Sequence, residues 1–255
     1  MNKYEIMRAV KEHHECVAKM PEMGVYAQPV MTVLIGSQNY GLDTENSDID
    51  TFTFVIPSLF SLAINKKEFR GEFEVKDGKC MYKDFRDALN LLKKTSPNSL
   101  ECFTSHYVYY NPKYEPILRA YFDNPLTVYY MTHCNYSHML YSLCGMAHQL
   151  EKRNMPGGKR YSHALRLVEM ANKFLQANPY IDMLSLDTDR DLALNAKLDK
   201  EDKESYNDVC QMIALSLDTI KDNFNISEEQ KLDEYKGMCY IEQLQVDMMY
   251  KLAYE

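Results

Sequence analysis

The sequence predicts an α+β fold: a mixed β-sheet flanked by helices, followed by a helical C-terminal region. Three observations carry this. Short apolar or alternating runs at 30–35 and 51–56 read as strands, and an Asp77-Gly78 turn sits inside a second alternating stretch. From about residue 113 onward the apolar spacing is almost entirely helical. The change of character falls near 112–126, so the chain divides into an N-terminal α+β part, 1–125, and a helical part, 126–255.

Each element follows from local signals. Residues 3 to 19 place apolar side chains at helical spacing, and Pro21 ends them. A polar connection through Gly24 leads to the first strand. After the second strand, Pro57-Ser58 opens a helical turn over Leu59, Phe60, Leu62 and Ile64. The stretch EFRGEFEVKDGKCMYKDF alternates about Asp77-Gly78 as a hairpin at a sheet edge does. Residues 84 to 94 spell a helix with Leu89, Leu91 and Leu92 inward and Lys93 and Lys94 at the end where cations suit the dipole. Ser96-Pro97 reads as an N-cap and first helical residue of a helix toward Phe103. Further helices are predicted near 113–122, 127–152, 160–176, 200–222 and 228–252, with MPGG at 155–158 as a turn and 182–191 as a solvated loop or short helix.

With 255 residues, 45% of them apolar, the chain can bury an ordinary core. No apolar run approaches the roughly 20 residues that span a bilayer, and the amphipathic, charged N-terminus is unlike a signal peptide, so a cytoplasmic protein without membrane partners is expected. Seven scattered cysteines with no C-x-x-C pair indicate neither a disulfide framework nor a zinc site. A net charge of −8 argues against broad, nonspecific DNA binding, whose affinity comes from neutralised phosphates. The 20 tyrosines and 16 methionines read first as packing residues.

The stretch VLIGSQNYGLDTENSDIDTFTFVI, 33–56, carries the chemistry. Asp48 and Asp50 are i and i+2, which in extended chain puts both carboxylates on one face, about 6 to 7 Å apart. Their repulsion, a few kcal/mol at an effective dielectric of about 20, is what a divalent cation reverses. Oxygen-only ligands suit Mg²⁺ or Mn²⁺, with waters and substrate phosphates completing the shell. Gly36 at a strand end lets backbone approach a phosphate, the N–H groups that follow and the Ser37 hydroxyl can donate to it, and Gly41 gives a second permissive turn. Taken singly, these residues also fit a plainer reading as turn and capping residues.

The order h-G-G/S, ten residues, then D-h-D at the head of a strand resembles the signature of the DNA polymerase β-like nucleotidyltransferase superfamily. More narrowly, it is similar to nucleotidyltransferases of bacteria and their phages that carry GS-x-x-YGL-x-x-x-x-SD-h-D. KDFRDALNLLKKTSPNSLECFTS is similar to that family's stretch after the third strand, and KRYSHALRLVEM to a later helix with H-x-x-R. The resemblance spans about 30–175. It implies a nucleotidyltransferase-like sheet, two Mg²⁺ ions held by Asp48 and Asp50, and transfer of a nucleoside monophosphate from an NTP with release of pyrophosphate. The acceptor that the resemblance implies is an RNA 3′ end or a protein hydroxyl, and the acidic net charge slightly favours a small or protein acceptor over long RNA. Gly36, Ser37 and Tyr40 belong to the implied nucleotide site.

Lys159, His163 and Arg166, spaced i, i+4, i+7, share one helix face and could reach the triphosphate, or form a solvated basic face. The superfamily's third carboxylate has no clear match: aligned on KDFR, its slot is Met81. Asp84, Glu74 and Asp77 are the replacements, with Asp84 preferred over Glu74 and the turn residue Asp77, although Asp84 could equally cap the helix after it. Glu101 also matches a family position. Two other readings stand beside the enzyme: a degenerate nucleotide-binding regulator or decoy with the same fold, and an interaction partner built on the helical half.

Overall fold

The computed structural model describes residues 2–64, 69–152, 155–176, 182–187, 189–199 and 203–254. Five strands, β1 (Ala27–Ile35), β2 (Asp50–Pro57), β3 (Arg70–Val75), β4 (Gly78–Asp84) and β5 (Val108–Tyr110), form one sheet in the order β3-β4-β2-β1-β5. The sheet is mixed, because β2 and β4 run parallel while the other neighbours are antiparallel. β1 starts before the predicted residue 30, and Pro29 lies at the register shift where a missing N–H is tolerated.

Eleven α-helices are found among the described residues: α1 (Lys3–Ala18), α2 (Leu59–Ala63), α3 (Phe85–Leu92), α4 (Pro97–Thr104), α5 (Glu115–Phe122), α6 (Pro125–His133), α7 (Tyr136–Lys152), α8 (Gly157–Leu175), α9 (Arg190–Leu198), α10 (Glu204–Asn223) and α11 (Glu228–Tyr254). Ser96 caps α4 with Pro97 in its first turn, as the sequence indicates. The single helix expected over 127–152 is two, since Asn135 accepts the His138 N–H and starts α7 afresh. The start of the helix expected over 200–222 lies partly outside the described residues. None of the described helices is long and apolar enough to cross a membrane.

The two faces of the sheet are covered differently. α1 packs on one, where His13 bonds Thr51 and His14 bonds Thr32, at 2.9 and 3.0 Å. On the other, Val33, Phe54, Phe85, Leu89 and Phe103 form a core that α11 joins through Ile241, Leu244 and Met248. α7, α8, α9 and α10 make a second core that includes Tyr40 and Leu42 from the loop after β1. Those two residues therefore seat the helical bundle against the end of the sheet. The candidate site lies in that seam.

Candidate active site

β1 ends at Ile35, and the chain turns at Gly36, whose φ of 100° is closed to ordinary side chains. A 3-10 turn, Ser37–Tyr40, follows and stops at Gly41 in the left-handed region, with φ 64°. Side chains fix this loop: Asn39 Nδ2 donates to the Leu34 carbonyl at 2.8 Å, and Gln38 Nε2 to the Asp48 carbonyl at 2.7 Å. The second bond ties the turn after β1 to the acids before β2.

A pocket of about 270 Å³ opens here. Gly36, Ser37, Tyr40, Asp48, Asp50, Lys159, His163 and Arg166 all line it, so residues separated by more than a hundred positions meet in one pocket. Asp48 is exposed and Asp50 half-buried. Asp50 Oδ1 accepts the Lys79 N–H at 3.0 Å, which aims the carboxylate without consuming its second oxygen. Asp48 and Asp50 offer a cation carboxylate oxygens, the donors that suit Mg²⁺ or Mn²⁺. Among the described residues no group of three or more His, Cys, Asp or Glu could hold a metal by itself, so water and substrate oxygens would complete the shell.

The opposite wall is basic. Arg166 lies over the Tyr40 ring, 4.2 Å from its centroid, and its Nε is buried with no hydrogen-bond partner. Burial raises the Tyr40 pKa against the pull of Arg166, so the phenol stays neutral. Lys197, which the sequence reading missed, also lines the pocket, and its Nζ donates to the Leu42 carbonyl at 2.6 Å. Burial, and then the charge of Lys159, lower the Lys197 pKa. Lys159, Arg166 and Lys197 thus line one pocket in a chain of net charge −8, an arrangement that suits an anion. Lys197 stands on α9, which begins at the end of the stretch read as a solvated loop or short helix, and no spacing relates it to Lys159.

Glu101 also emerges here. Largely buried on α4, it accepts the Gly36 N–H at 2.6 Å and the Tyr40 hydroxyl. The Gly36 N–H is thereby engaged, which leaves the N–H groups after it and the Ser37 hydroxyl as phosphate donors. Glu101 holds the turn and the phenol that supports Arg166.

The family model for RlaP, described as the RNA repair pathway DNA polymerase beta family, matches residues 8–235. The chain belongs to this family. The RNA repair pathway DNA polymerase beta family is a branch of the polymerase β-like nucleotidyltransferases, in agreement with the resemblance carried by residues 36–50. Among solved structures, a nucleotidyltransferase-like protein from Exiguobacterium sibiricum 255-15 matches with 12% identity and a TM-score of 0.32, over 91% of this chain and 78% of its own. No curated protein matches.

The slot expected to carry a third carboxylate is filled otherwise. Met81 pairs in register with Phe52 and so shares the face of Asp50, one step along. The slot is apolar. Asp84 does not join the pair: five residues beyond Lys79 on β4, it lies about 16 Å along the strand from the level of Asp50. It is buried, caps α3 through the Arg86 N–H, and holds the Arg86 guanidinium at 2.7 Å. Capping, the plainer reading, is its observed role. Glu74 is exposed beside Lys79, which stands between it and β2. Asp77 belongs to the turn, its carbonyl taking the Ile49 N–H, while Gly78 touches the Ile49 backbone too closely for a Cβ.

Proposed function

We propose that this chain is a divalent-metal-dependent nucleotidyltransferase that moves a nucleoside monophosphate from an NTP to the hydroxyl of an RNA end, releasing pyrophosphate. The observation that supports it best is one pocket lined by two carboxylates, a glycine-serine turn and the cations Lys159, Arg166 and Lys197. Asp48 and Asp50 would hold Mg²⁺ or Mn²⁺, which when bound neutralises charge on the phosphoryl oxygens and activates the attacking hydroxyl. Ser37 and the N–H groups after Gly36 would orient the triphosphate. The three cations would draw charge toward the pyrophosphate as its bond lengthens, and Arg166, braced on Tyr40, supplies a planar fork for two oxygens. His163 completes the lining. The RNA acceptor is favoured by the description of the family as belonging to an RNA repair pathway.

Met81 favours a second reading, in which the chain binds a nucleotide without turnover, because no carboxylate occupies the position beside Asp50 from which an acceptor hydroxyl would be deprotonated. One experiment separates the two. RNA with a free 3′ hydroxyl is incubated with the protein, Mg²⁺ or Mn²⁺, and NTP labelled at the α or the γ phosphate. The enzyme reading expects label in RNA from the α position alone. NTP-dependent thermal stabilisation with no label in RNA would instead support the binding protein.

A further inference from the structure

A second cavity, about 440 Å³, lies on the same face of the sheet and shares Ile35 with the catalytic pocket. From the residues upward, we infer that it is the acceptor subsite, built to take an unstacked nucleobase of a single-stranded RNA end with Lys83 against the backbone phosphate. This rests on the function proposed above and names the part of the site that the catalytic pocket leaves unassigned.

The groove begins where the acids stop. Phe52 follows Asp50 by two residues on β2, so the two side chains share a face, and Met81 stands beside Phe52 on β4. Phe54 comes next along the strand, 5.1 Å from Phe52 and stacked on Phe103 at 5.1 Å and 20°. These residues line the groove, which makes its wall flat, aromatic and sulfur-bearing. Phe52 and Met81 are only partly covered by the protein, leaving apolar area for a planar ligand to bury. Met81 therefore extends the stacking surface toward Asp50.

Lys83 settles what else the occupant carries. It pairs in register with Phe54, so it shares that face, and it lines the groove. Among the described residues it has no ion pair or hydrogen bond from its ammonium, and Glu101, the one carboxylate in the groove, is engaged with Gly36. The Lys83 stem is part-covered against an apolar wall while its ammonium has no partner among the described residues, which leaves that charge open to an anion from outside. Lys83 lies four residues beyond Lys79, about 13 Å along the strand from Asp50. An apolar planar group next to the reacting position, with a negative charge farther out, is the pattern of a single-stranded nucleic acid end. A duplex end keeps its bases stacked and cannot offer one.

The test measures fluorescence anisotropy of a dye-labelled short single-stranded RNA with a free 3′ hydroxyl, titrated with full-length wild type, Lys83→Gln, Lys83→Arg and Phe52→Leu at several salt concentrations. Lys83→Gln should weaken binding by about tenfold and flatten the slope of log Kd against log salt by about 0.7, the loss of one phosphate contact. Lys83→Arg should restore both, Phe52→Leu should weaken binding with the slope kept, and thermal stabilisation by NTP should be unchanged in all three. Equal affinity for blunt duplex RNA, or affinity and slope untouched in the Lys83 and Phe52 variants, overturns the inference. Label transfer to RNA that ignores these variants refutes the subsite alone. Single-strand binding that Lys83→Gln weakens, in a protein that no NTP stabilises, keeps the subsite and refutes the proposed function.

Discussion

Gly158, in the first turn of α8, lies so close to the Ala196 carbonyl of α9 that no Cβ fits between them. The contact sets the distance between the helix that carries Lys159 and the helix that carries Lys197, and so the width of the basic wall. Alanine normally improves a helix over glycine by about 1 kcal/mol. Here Gly158→Ala should instead destabilise by about 1–3 kcal/mol through overpacking, and NTP affinity should fall with it. Thermal unfolding and NTP titration check both. Lys197→Met should weaken NTP binding by roughly tenfold, the order expected for one lost charge-assisted contact, and lower the unfolding temperature modestly because the Leu42 carbonyl loses its donor.

Glu101 tests whether the turn after β1 is held from behind. Removing its carboxylate with Glu101→Ala strands the Gly36 N–H and should cost about 1–3 kcal/mol, together with weaker NTP binding as Gly36 and Tyr40 lose their anchor. Glu101→Gln keeps an acceptor oxygen and should retain most of the stability. Chemical denaturation of the two variants separates a support for the turn from a merely exposed acid, which would show no difference.

Acid should weaken the fold from the face of the sheet opposite the site. Burial lowers the His14 pKa to about 4 from 6.5, and the ring bonds Thr32. The unfolded chain therefore takes up a proton near pH 6.5 that the folded chain refuses until about 4, so stability falls as pH drops through that window. The full loss at its acidic end is about 3 kcal/mol. Replacing the ring with His14→Gln should flatten the pH dependence of the unfolding temperature between 6.5 and 4. An unaltered slope would assign the acid sensitivity to other groups.

Much of this was legible in the sequence, and the reasons are local. Gly36, Ser37, Asp48 and Asp50 lie within fifteen residues, so strand periodicity and turn chemistry place them together with no tertiary information. Lys159, His163 and Arg166 form one helix face by spacing alone. What the sequence hides is set by packing between distant elements. Lys197 enters through the glycine contact at Gly158, which no motif announces. β5 is three residues, too short for a period to emerge. Asp84 misled because an N-cap and a catalytic acid use the same side chain before a helix, and only the register of β2 against β4 distinguishes them.

Asp48, Asp50 and the basic residues of the pocket are proposed to form a single metal-nucleotide site. Calorimetric titration of a non-hydrolysable NTP analogue, with Mn²⁺ and with chelator, into wild type, Asp48→Asn and Asp50→Asn tests it most directly. Binding should be tight only with the metal, and either variant should lose that metal dependence. Binding that chelator and both substitutions leave unchanged would contradict it.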